Sequence, residues 1–348
     1  MIPLKTNNFN QMKTAILLMN VGSPDAPTVP AVRRYLTQFL NDKRVIDLPW
    51  LLRKFLVNAI IIPFRVKNST KLYLRLWTKK GSPLIYLTEE LREKLQLKQK
   101  VGDQVFVAMR YGNPSIKKAL KEIKQHGFEK LILVPLYPQH AMSTTETSFV
   151  AAQKRIKKLR IKAEVQEVGQ FYDHPKFIDA FVSQAKKYDF SKYDHIIFSY
   201  HGLPNRHLEK CHPGITVDKC DCQHSFPEHG KMCYRATSYA TSRLIASKLN
   251  LKPEDYTVGF QSRLSKNWLT PFTDHVLDEK LKEGKKKILV FTPSFVTDCL
   301  ETILEIGVEY GEEFLKNGGE KLQLVDSLNA EDQWVEALDT IIKEQTSE

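Results

Sequence analysis

Side chains suited to metal and proton chemistry are concentrated in one stretch, residues 194–233. An apolar run over 194–200 predicts a strand that ends at His201, and a Gly-Leu-Pro turn follows it. Four of the five cysteines come next, at Cys211, Cys220, Cys222 and Cys233. Four thiolates can hold zinc in a closed tetrahedral site or ligate a [2Fe–2S] cluster, and the histidines at 212, 224 and 229 could replace one of them.

A second group of reactive side chains consists of the acidic residues Asp298, Glu301, Glu305 and Glu309. Their spacing of three, four and four predicts that they share one face of a helix over 298–309. A solvated acidic face is the simpler interpretation of that spacing. However, Asp298 and Glu301 follow a predicted strand directly, as His201 does. A histidine that faces carboxylates across a cleft suits proton abstraction or the delivery of a divalent cation.

The elements that must position these groups are eight short apolar segments with helical patterns between them. Most of the segments are apolar throughout, as strands of a parallel sheet covered on both faces should be. The predicted strands are 14–20, 104–110, 130–136, 163–168, 194–200, 256–261, 286–292 and 321–325. Because 127–135 resembles 284–293, the sequence predicts an α/β protein of two similar doubly wound, Rossmann-like domains, each with a four-stranded parallel sheet.

The expected organisation is a first domain over 1–172, a second over 173–326 and a terminal segment, 327–348, whose helix packs back on the first domain. Ligands of such sheets bind beyond the carboxyl ends of the strands. No glycine-rich phosphate motif follows any predicted strand, which argues against a nucleotide site.

Composition limits the class of protein further. The 348 residues suffice for two domains, and 42% hydrophobic with 26% charged residues is typical of a soluble globular protein. Five cysteines, four of them clustered, indicate a reduced, intracellular setting, and the first eight residues predict no signal peptide. The apolar run 55–64 is too short to cross a bilayer, which takes about 20 residues. The formal net charge of +12 suggests an anionic partner, yet dispersed lysines favour a solvated surface.

Seven separate motifs, in order along the chain, resemble those of ferrochelatases, the enzymes that insert ferrous iron into a porphyrin. They include Ser-Tyr-His-Gly-Leu-Pro at 199–204 and Asp-Cys-Leu-Glu-Thr at 298–302. The others lie at 18–25, 81–84, 109–114, 137–145 and 260–269. The resemblance extends from about residue 14 to the final helix.

This resemblance implies that the protein inserts Fe²⁺ into protoporphyrin IX to form protohaem, the last step of haem biosynthesis. It implies that His201 is the active-site histidine, either the base or an iron ligand, that Glu301 faces it, and that Asp298, Glu305 and Glu309 extend an acidic path for iron or protons. The expected porphyrin-binding residues are Arg110, Tyr111, Tyr137 and Trp268.

The resemblance also implies a hydrophobic lip over about 50–66 that contacts the inner membrane from the cytoplasm. The cysteine-rich insert 211–233 is similar to that of bacterial members with an internal [2Fe–2S] cluster, and zinc is the second choice. Cys299 stands where the family often has histidine, as either a packing thiol or an auxiliary ligand. A monomer or homodimer without nucleic acid is expected. The alternatives are a related chelatase for coproporphyrin or cobalt and, more distantly, a zinc-dependent nucleic-acid-binding module.

Overall fold

The computed structural model describes residues 13–347, so the segment that bears on a signal peptide lies outside the described residues. Eight strands form two four-stranded sheets, and every neighbouring pair is parallel. The strands are β1 Thr14–Asn20, β2 Gln104–Met109, β3 Lys130–Pro135, β4 Glu164–Glu167, β5 His195–His201, β6 Tyr256–Gln261, β7 Lys287–Phe291 and β8 Lys321–Leu324. The predicted fold class and all eight predicted strands are confirmed.

The strand order β2-β1-β3-β4 in the first sheet matches β6-β5-β7-β8 in the second, as internal duplication predicts. The connecting α-helices are α1 Val29–Leu40, α2 Trp50–Phe55, α3 Ile62–Leu76, α4 Pro83–Gln96, α5 Ile116–His126, α6 Thr147–Leu159, α7 Pro175–Ala185, α8 Asn205–Glu209, α9 Tyr234–Lys248, α10 Thr273–Lys282, α11 Gly311–Lys316 and α12 Asp332–Thr346. Several of their ends follow local rules: Ser115 caps α5 by accepting from the Lys118 N–H, and Gly127 ends it in the left-handed conformation.

The two sheets share one hydrophobic core. Alternate residues of β1 point to opposite faces, so Leu17 packs with α5 and α6 while Leu18 faces the shared core. Phe198 of β5 and Trp334 of α12 belong to that same shared core. The two sheets are therefore held rigidly enough for residues on facing strand ends to form one site.

Helix α12 packs against α7 and α4. Lys94 of α4 forms an ion pair with Asp332 at 2.7 Å, and Gln99 donates a hydrogen bond to Asp339 at 3.0 Å. The terminal helix thus contacts an element between the first two strands as well as α7.

Three segments are π-helical: Leu56–Ile61, Met142–Glu146 and Glu301–Tyr310. The helix predicted over 298–309 is a π-helix over Glu301–Tyr310 that continues into α11, so the prediction that Asp298 shares a helical face with the three glutamates is wrong. Such wide turns occur frequently at functional sites. Among the described residues, no helix is long and apolar enough to cross a membrane.

Candidate active site

A cavity lies where the carboxyl ends of the strands of both sheets face each other. His201 at the end of β5 and Glu301 at the start of the π-helix both line it. Tyr137, just after β3, lines the same cavity, as do Tyr35 of α1 and Tyr73 of α3. The cavity thus combines an imidazole, a carboxylate and aromatic walls, as the sequence predicted for His201, Glu301 and Tyr137.

The imidazole of His201 is held in one tautomer by the backbone of the next residue, Gly202. Its Nδ1 lies 2.6 Å from the carbonyl oxygen of Gly202. Because a carbonyl oxygen only accepts hydrogen bonds, Nδ1 must carry the proton in the neutral ring. The lone pair is then on Nε2, which is the nitrogen able to accept a proton or bind a cation.

The turn after His201 requires glycine. A Cβ atom at Gly202 would lie 2.8 Å from the carbonyl oxygen of Gln261 and 3.4 Å from the Trp268 ring. The ring centroid of Trp268 is 6.4 Å from that of His201, and Phe295 lies at the same centroid distance. Trp268 is therefore a neighbour of His201, although it is not one of the residues that line the cavity.

Cys299 and Glu301 are adjacent in the cavity wall. Burial raises the pKa of the Cys299 thiol well above its usual value, and the negative charge of Glu301 raises it further. The charge of Glu301 also adds to the effect of burial in raising the pKa of the phenols of Tyr35 and Tyr73. The sequence did not predict these two tyrosines as cavity residues, because their helical spacing indicates only core packing.

Glu305 lies one turn beyond Glu301 and does not line the cavity. The hydroxyl of Ser262 donates to its carboxylate at 2.5 Å, and the Tyr310 hydroxyl approaches it at 3.4 Å. Burial raises the pKa of Glu305, although Ser262 and the nearby His201 act in the opposite direction. Glu309 lies on the same π-helix, also outside the cavity lining.

Asp298 lies just before the π-helix, and its carboxylate accepts hydrogen bonds from three other residues of the protein. It accepts from the Thr302 hydroxyl at 2.9 Å, the Ser327 N–H at 3.3 Å and the Asn329 amide at 2.7 Å. It is buried and is not part of the cavity lining. The structure therefore does not bring Asp298 together with His201 and Glu301 in the cavity.

Arg110 and Tyr111 also lie outside the cavity lining. The guanidinium of Arg110 forms an ion pair with Asp42 and donates to the hydroxyl of Thr147 at 2.8 Å. Tyr111 donates to the same carboxylate at 3.0 Å and is almost fully buried. Asp42, which the sequence gave no reason to single out, connects these residues to α6.

The cysteine-rich segment forms two sulfur–imidazole pairs. Cys220 Sγ lies 3.3 Å from His229 Nε2, and Cys233 Sγ lies 3.6 Å from His212 Nε2. Burial raises the pKa of the Cys222 thiol to about 12, an effect partly offset by the charge of Arg235. Within 13–347, no three histidine, cysteine, aspartate or glutamate side chains are already arranged around a metal position.

The lip region exposes large apolar side chains. Trp50, Leu51, Leu52 and Phe55 are all more than half exposed, and Phe64 is 81% exposed. These residues lie on α2 and α3, and α3 also supplies Tyr73 to the cavity wall. Exposed apolar side chains grouped in this way make the lip a candidate interaction surface.

Solved structures of chelatases share this α/β fold. SirB from Bacillus subtilis with Fe³⁺ superposes with a TM-score of 0.56 at 10% identity, covering 97% of this chain and 96% of that one. A SirB structure from Bacillus subtilis subspecies spizizenii in complex with cobalt gives a TM-score of 0.54 at 10% identity, covering 96% and 95%. At such low identity, these likenesses establish the fold alone.

Sequence comparisons identify the family. The family model described as Ferrochelatase matches residues 13–346. The ferrochelatase of Coxiella burnetii (strain Dugway 5J108-111) is 43% identical over 98% of this chain and 95% of the relative. The ferrochelatase of Ectopseudomonas mendocina is 43% identical over 93% of this chain and 96% of the relative. The chain belongs to the ferrochelatase family, and it is an enzyme that inserts a metal into a porphyrin.

Proposed function

We propose that this enzyme inserts Fe²⁺ into protoporphyrin IX to form protohaem, with His201 as proton acceptor and Glu301 as the carboxylate that handles iron or protons opposite it. The observation that carries this proposal is the shared cavity, which both His201 and Glu301 line, together with the Nδ1 contact that leaves the lone pair of His201 on Nε2. Metal insertion requires the loss of two pyrrole protons and the arrival of a desolvated cation. A neutral imidazole and a carboxylate supply those two functions.

The cavity walls suit a flat aromatic substrate. Tyr35, Tyr73 and Tyr137 contribute rings, and Leu36 and Phe39 add apolar surface. Burial of the large faces of a porphyrin against such walls can offset the cost of bending the ring. Tyr137 is the wall residue we favour most, whereas Arg110 and Tyr111 would act indirectly, through the packing that holds α6.

Glu305 and Glu309 would continue the path from Glu301 along the π-helix. Both follow at intervals of four residues, and Glu305 is partly buried between Ser262 and Tyr310. Carboxylate oxygens are hard ligands suited to Fe²⁺ in transit. Asp298 would serve as a positioning residue, because its hydrogen bonds tie the start of the π-helix to residues 327–329.

The decisive experiment offers Fe²⁺ without oxygen, together with protoporphyrin IX or coproporphyrin III, and follows the loss of free-porphyrin fluorescence. We expect protoporphyrin IX to be preferred and the His201→Ala variant to lose activity by a factor of about 10² to 10⁴. His126→Ala, at an exposed position at the end of α5, is the matched control and should remain fully active. Activity retained by His201→Ala would refute the assigned role, and a preference for coproporphyrin III or Co²⁺ would refute the assigned substrates.

We also propose that the enzyme binds peripherally to the inner membrane from the cytoplasmic side through the lip. Lys54, Arg65 and Lys67 lie beside the exposed apolar residues, so anionic headgroups would be attracted to the same surface. Because α3 also forms part of the cavity wall, binding there would place the cavity next to the lipid in which a porphyrin dissolves.

The lip proposal is tested by co-sedimentation with vesicles containing phosphatidylglycerol. Leu52→Ser combined with Phe64→Ser should abolish most binding, because about 2 kcal/mol of apolar transfer is lost with each side chain. Leu97→Ser is the matched control, since Leu97 is 84% exposed but lies outside the lip. Equal binding by all variants would contradict the proposal.

We propose further that Cys211, Cys220, Cys222 and Cys233 hold a [2Fe–2S] cluster, with zinc as the second choice. The chemistry of the segment fits an anionic centre. Arg235 is buried beside the cysteines. Within 13–347 its guanidinium donates to the Val217 and Cys220 carbonyls at 3.0 Å and 3.2 Å and to the Gln223 side-chain oxygen at 3.3 Å, none of which is a carboxylate. A buried cation without a counter-ion is costly, and thiolates around a metal centre would supply the missing negative charge.

The cluster would supply electron-transfer or structural chemistry, and the cysteine-rich segment would gain order when it binds. Purified protein should be reddish-brown, with iron and inorganic sulfide in equal amounts. Cys211→Ser should lose the colour, whereas Cys299→Ser, outside the segment, should keep it. Colourless protein that contains zinc would contradict the cluster and favour the second choice.

A further inference from the structure

The residue after β6, Ser262, has an unusual backbone conformation at a functionally important place. Its φ is +64°, in the left-handed region that non-glycine residues with a Cβ seldom occupy. Strain of this kind persists where the surrounding structure enforces it, and it clusters at functional sites. In this conformation, the Ser262 hydroxyl makes one side-chain hydrogen bond among the described residues. It donates to Glu305 Oε2 at 2.5 Å.

Buried hydrogen bonds fix the side-chain orientation of the preceding residue, Gln261. The hydroxyl of Ser199 donates to Gln261 Oε1 at 2.6 Å and lies 2.8 Å from the hydroxyl of Thr273. With its oxygen held, the amide must direct Nε2 the other way, and that atom donates to the Glu301 carbonyl at 3.0 Å. The end of β6 therefore forms hydrogen bonds to the π-helix at two places, the Glu301 backbone carbonyl and the Glu305 carboxylate.

From these contacts we infer that Ser262 is a positioning residue for iron insertion, which orients the Glu305 carboxylate toward the path that leads to Glu301 and His201. The inference rests on the proposed role of Glu305. Glu305 has free rotation about three side-chain bonds, and a carboxylate that serves a cation in transit must present its second oxygen to that path. The Ser262 hydroxyl binds Oε2, to which Gln261 Nε2 also donates at 3.5 Å. Among the described residues, Oε1 then has only the 3.4 Å contact to Tyr310.

The left-handed φ makes a test possible in which stability and activity change in opposite directions. Glycine adopts this conformation without strain, so Ser262→Gly removes the hydroxyl and relieves the backbone together. We expect its thermal midpoint to equal or exceed that of the unchanged enzyme. We expect kcat/KM for Fe²⁺ to fall about tenfold, the value of one hydrogen bond to a charged group, with KM for the porphyrin unchanged.

Two matched variants separate positioning from general effects. Arg160→Gly relieves a similar φ of +53° at the exposed end of α6, and it should leave every kinetic constant unchanged. Ser262→Thr keeps the hydroxyl while adding strain, so it should be less stable than Ser262→Gly and yet closer to the unchanged enzyme in kcat/KM for Fe²⁺.

A double-mutant cycle with Glu305→Gln completes the test. If Ser262 acts through Glu305, the double variant should be no slower than Glu305→Gln alone, because the two effects belong to one interaction. Unchanged kcat/KM in Ser262→Gly, with Glu305→Gln impaired, would overturn the positioning role while leaving the role of Glu305 intact. Full activity in Glu305→Gln would overturn both.

Discussion

At the scale of single residues, the structure separates side chains that line the cavity from side chains that hold the scaffold. His201 and Glu301 were predictable because parallel strands bring their carboxyl ends to one edge, so residues a hundred positions apart meet there. The partner of Arg110 was not predictable. Asp42 lies in the connection after α1, and only the tertiary fold brings it to the guanidinium and to Thr147 at the start of α6.

Asp42→Asn should destabilise the protein by about 2 kcal/mol, because Arg110 would lose its buried ionic partner. Burial alone would raise the pKa of Asp42, but hydrogen bonds from Thr147 and the Arg44 N–H, with the charge of Arg110, lower it overall. A group with a lowered folded-state pKa contributes stability above its unfolded pKa of about 3.9 and loses it as pH falls further. The difference between variant and unchanged enzyme should therefore be full at neutral pH and shrink below about pH 4.

The measurement is urea unfolding at several pH values. Asp25→Asn is the matched control, because the ion pair of Asp25 with Arg34 is exposed and contributes little. An equal loss of stability in both variants, or a difference that grows on acidification, would contradict the assigned role of Asp42.

At the scale of elements, the strands were predictable and the π-helices were not. Most of the predicted strands are continuously apolar, and such segments between helical patterns have few alternatives to buried parallel strands. All eight predicted strands appeared where expected, including the largely exposed β4. Carboxylates four residues apart fit either kind of helix, so the sequence could not reveal the wide turns of Glu301–Tyr310. That geometry depends on contacts such as the one from Gln261, which belongs to another strand.

Helix α8 connects the turn after His201 to the cysteine-rich segment, and one carboxylate anchors it. Asp47 lies between α1 and the lip, and it bonds Arg206 and Lys210 of this region, each at 2.5 Å. Burial raises the pKa of Asp47, but these two cations lower it well below its usual range. The anchor is therefore charged at neutral pH and is lost only as strong acid protonates it.

Asp47→Asn should release α8 and the segment that follows it. We expect faster amide hydrogen exchange over 205–233, measured by mass spectrometry, with little change in the two sheets. Asp218→Asn, an exposed acid within the segment, is the control and should leave exchange in α8 unchanged. Unaltered protection of α8 in Asp47→Asn would show that the ion pairs do not hold it.

At the scale of the whole molecule, duplication explains the cavity. Each half buries a four-stranded sheet, and the halves share the core to which Phe198 and Trp334 belong. Trp334 of α12 packs on Phe171 and Phe177, with ring centroids 5.8 Å and 6.0 Å away. The terminal helix therefore packs into the core that both halves share. Loss of its core contacts should lower the stability of the entire protein.

Trp334→Ala should lower the free energy of unfolding by about 3 to 5 kcal/mol, the cost of deleting a buried aromatic side chain. Because the core is common to both sheets, we expect one cooperative urea transition, followed by far-ultraviolet circular dichroism, to shift as a whole rather than split in two. Trp50→Ala makes the same chemical change at a lip position that is 62% exposed, and it should cost less than about 0.5 kcal/mol. A variant that unfolds in two steps, with one step unshifted, would show that the halves are stabilised independently and that the cavity between them is not held by a shared core.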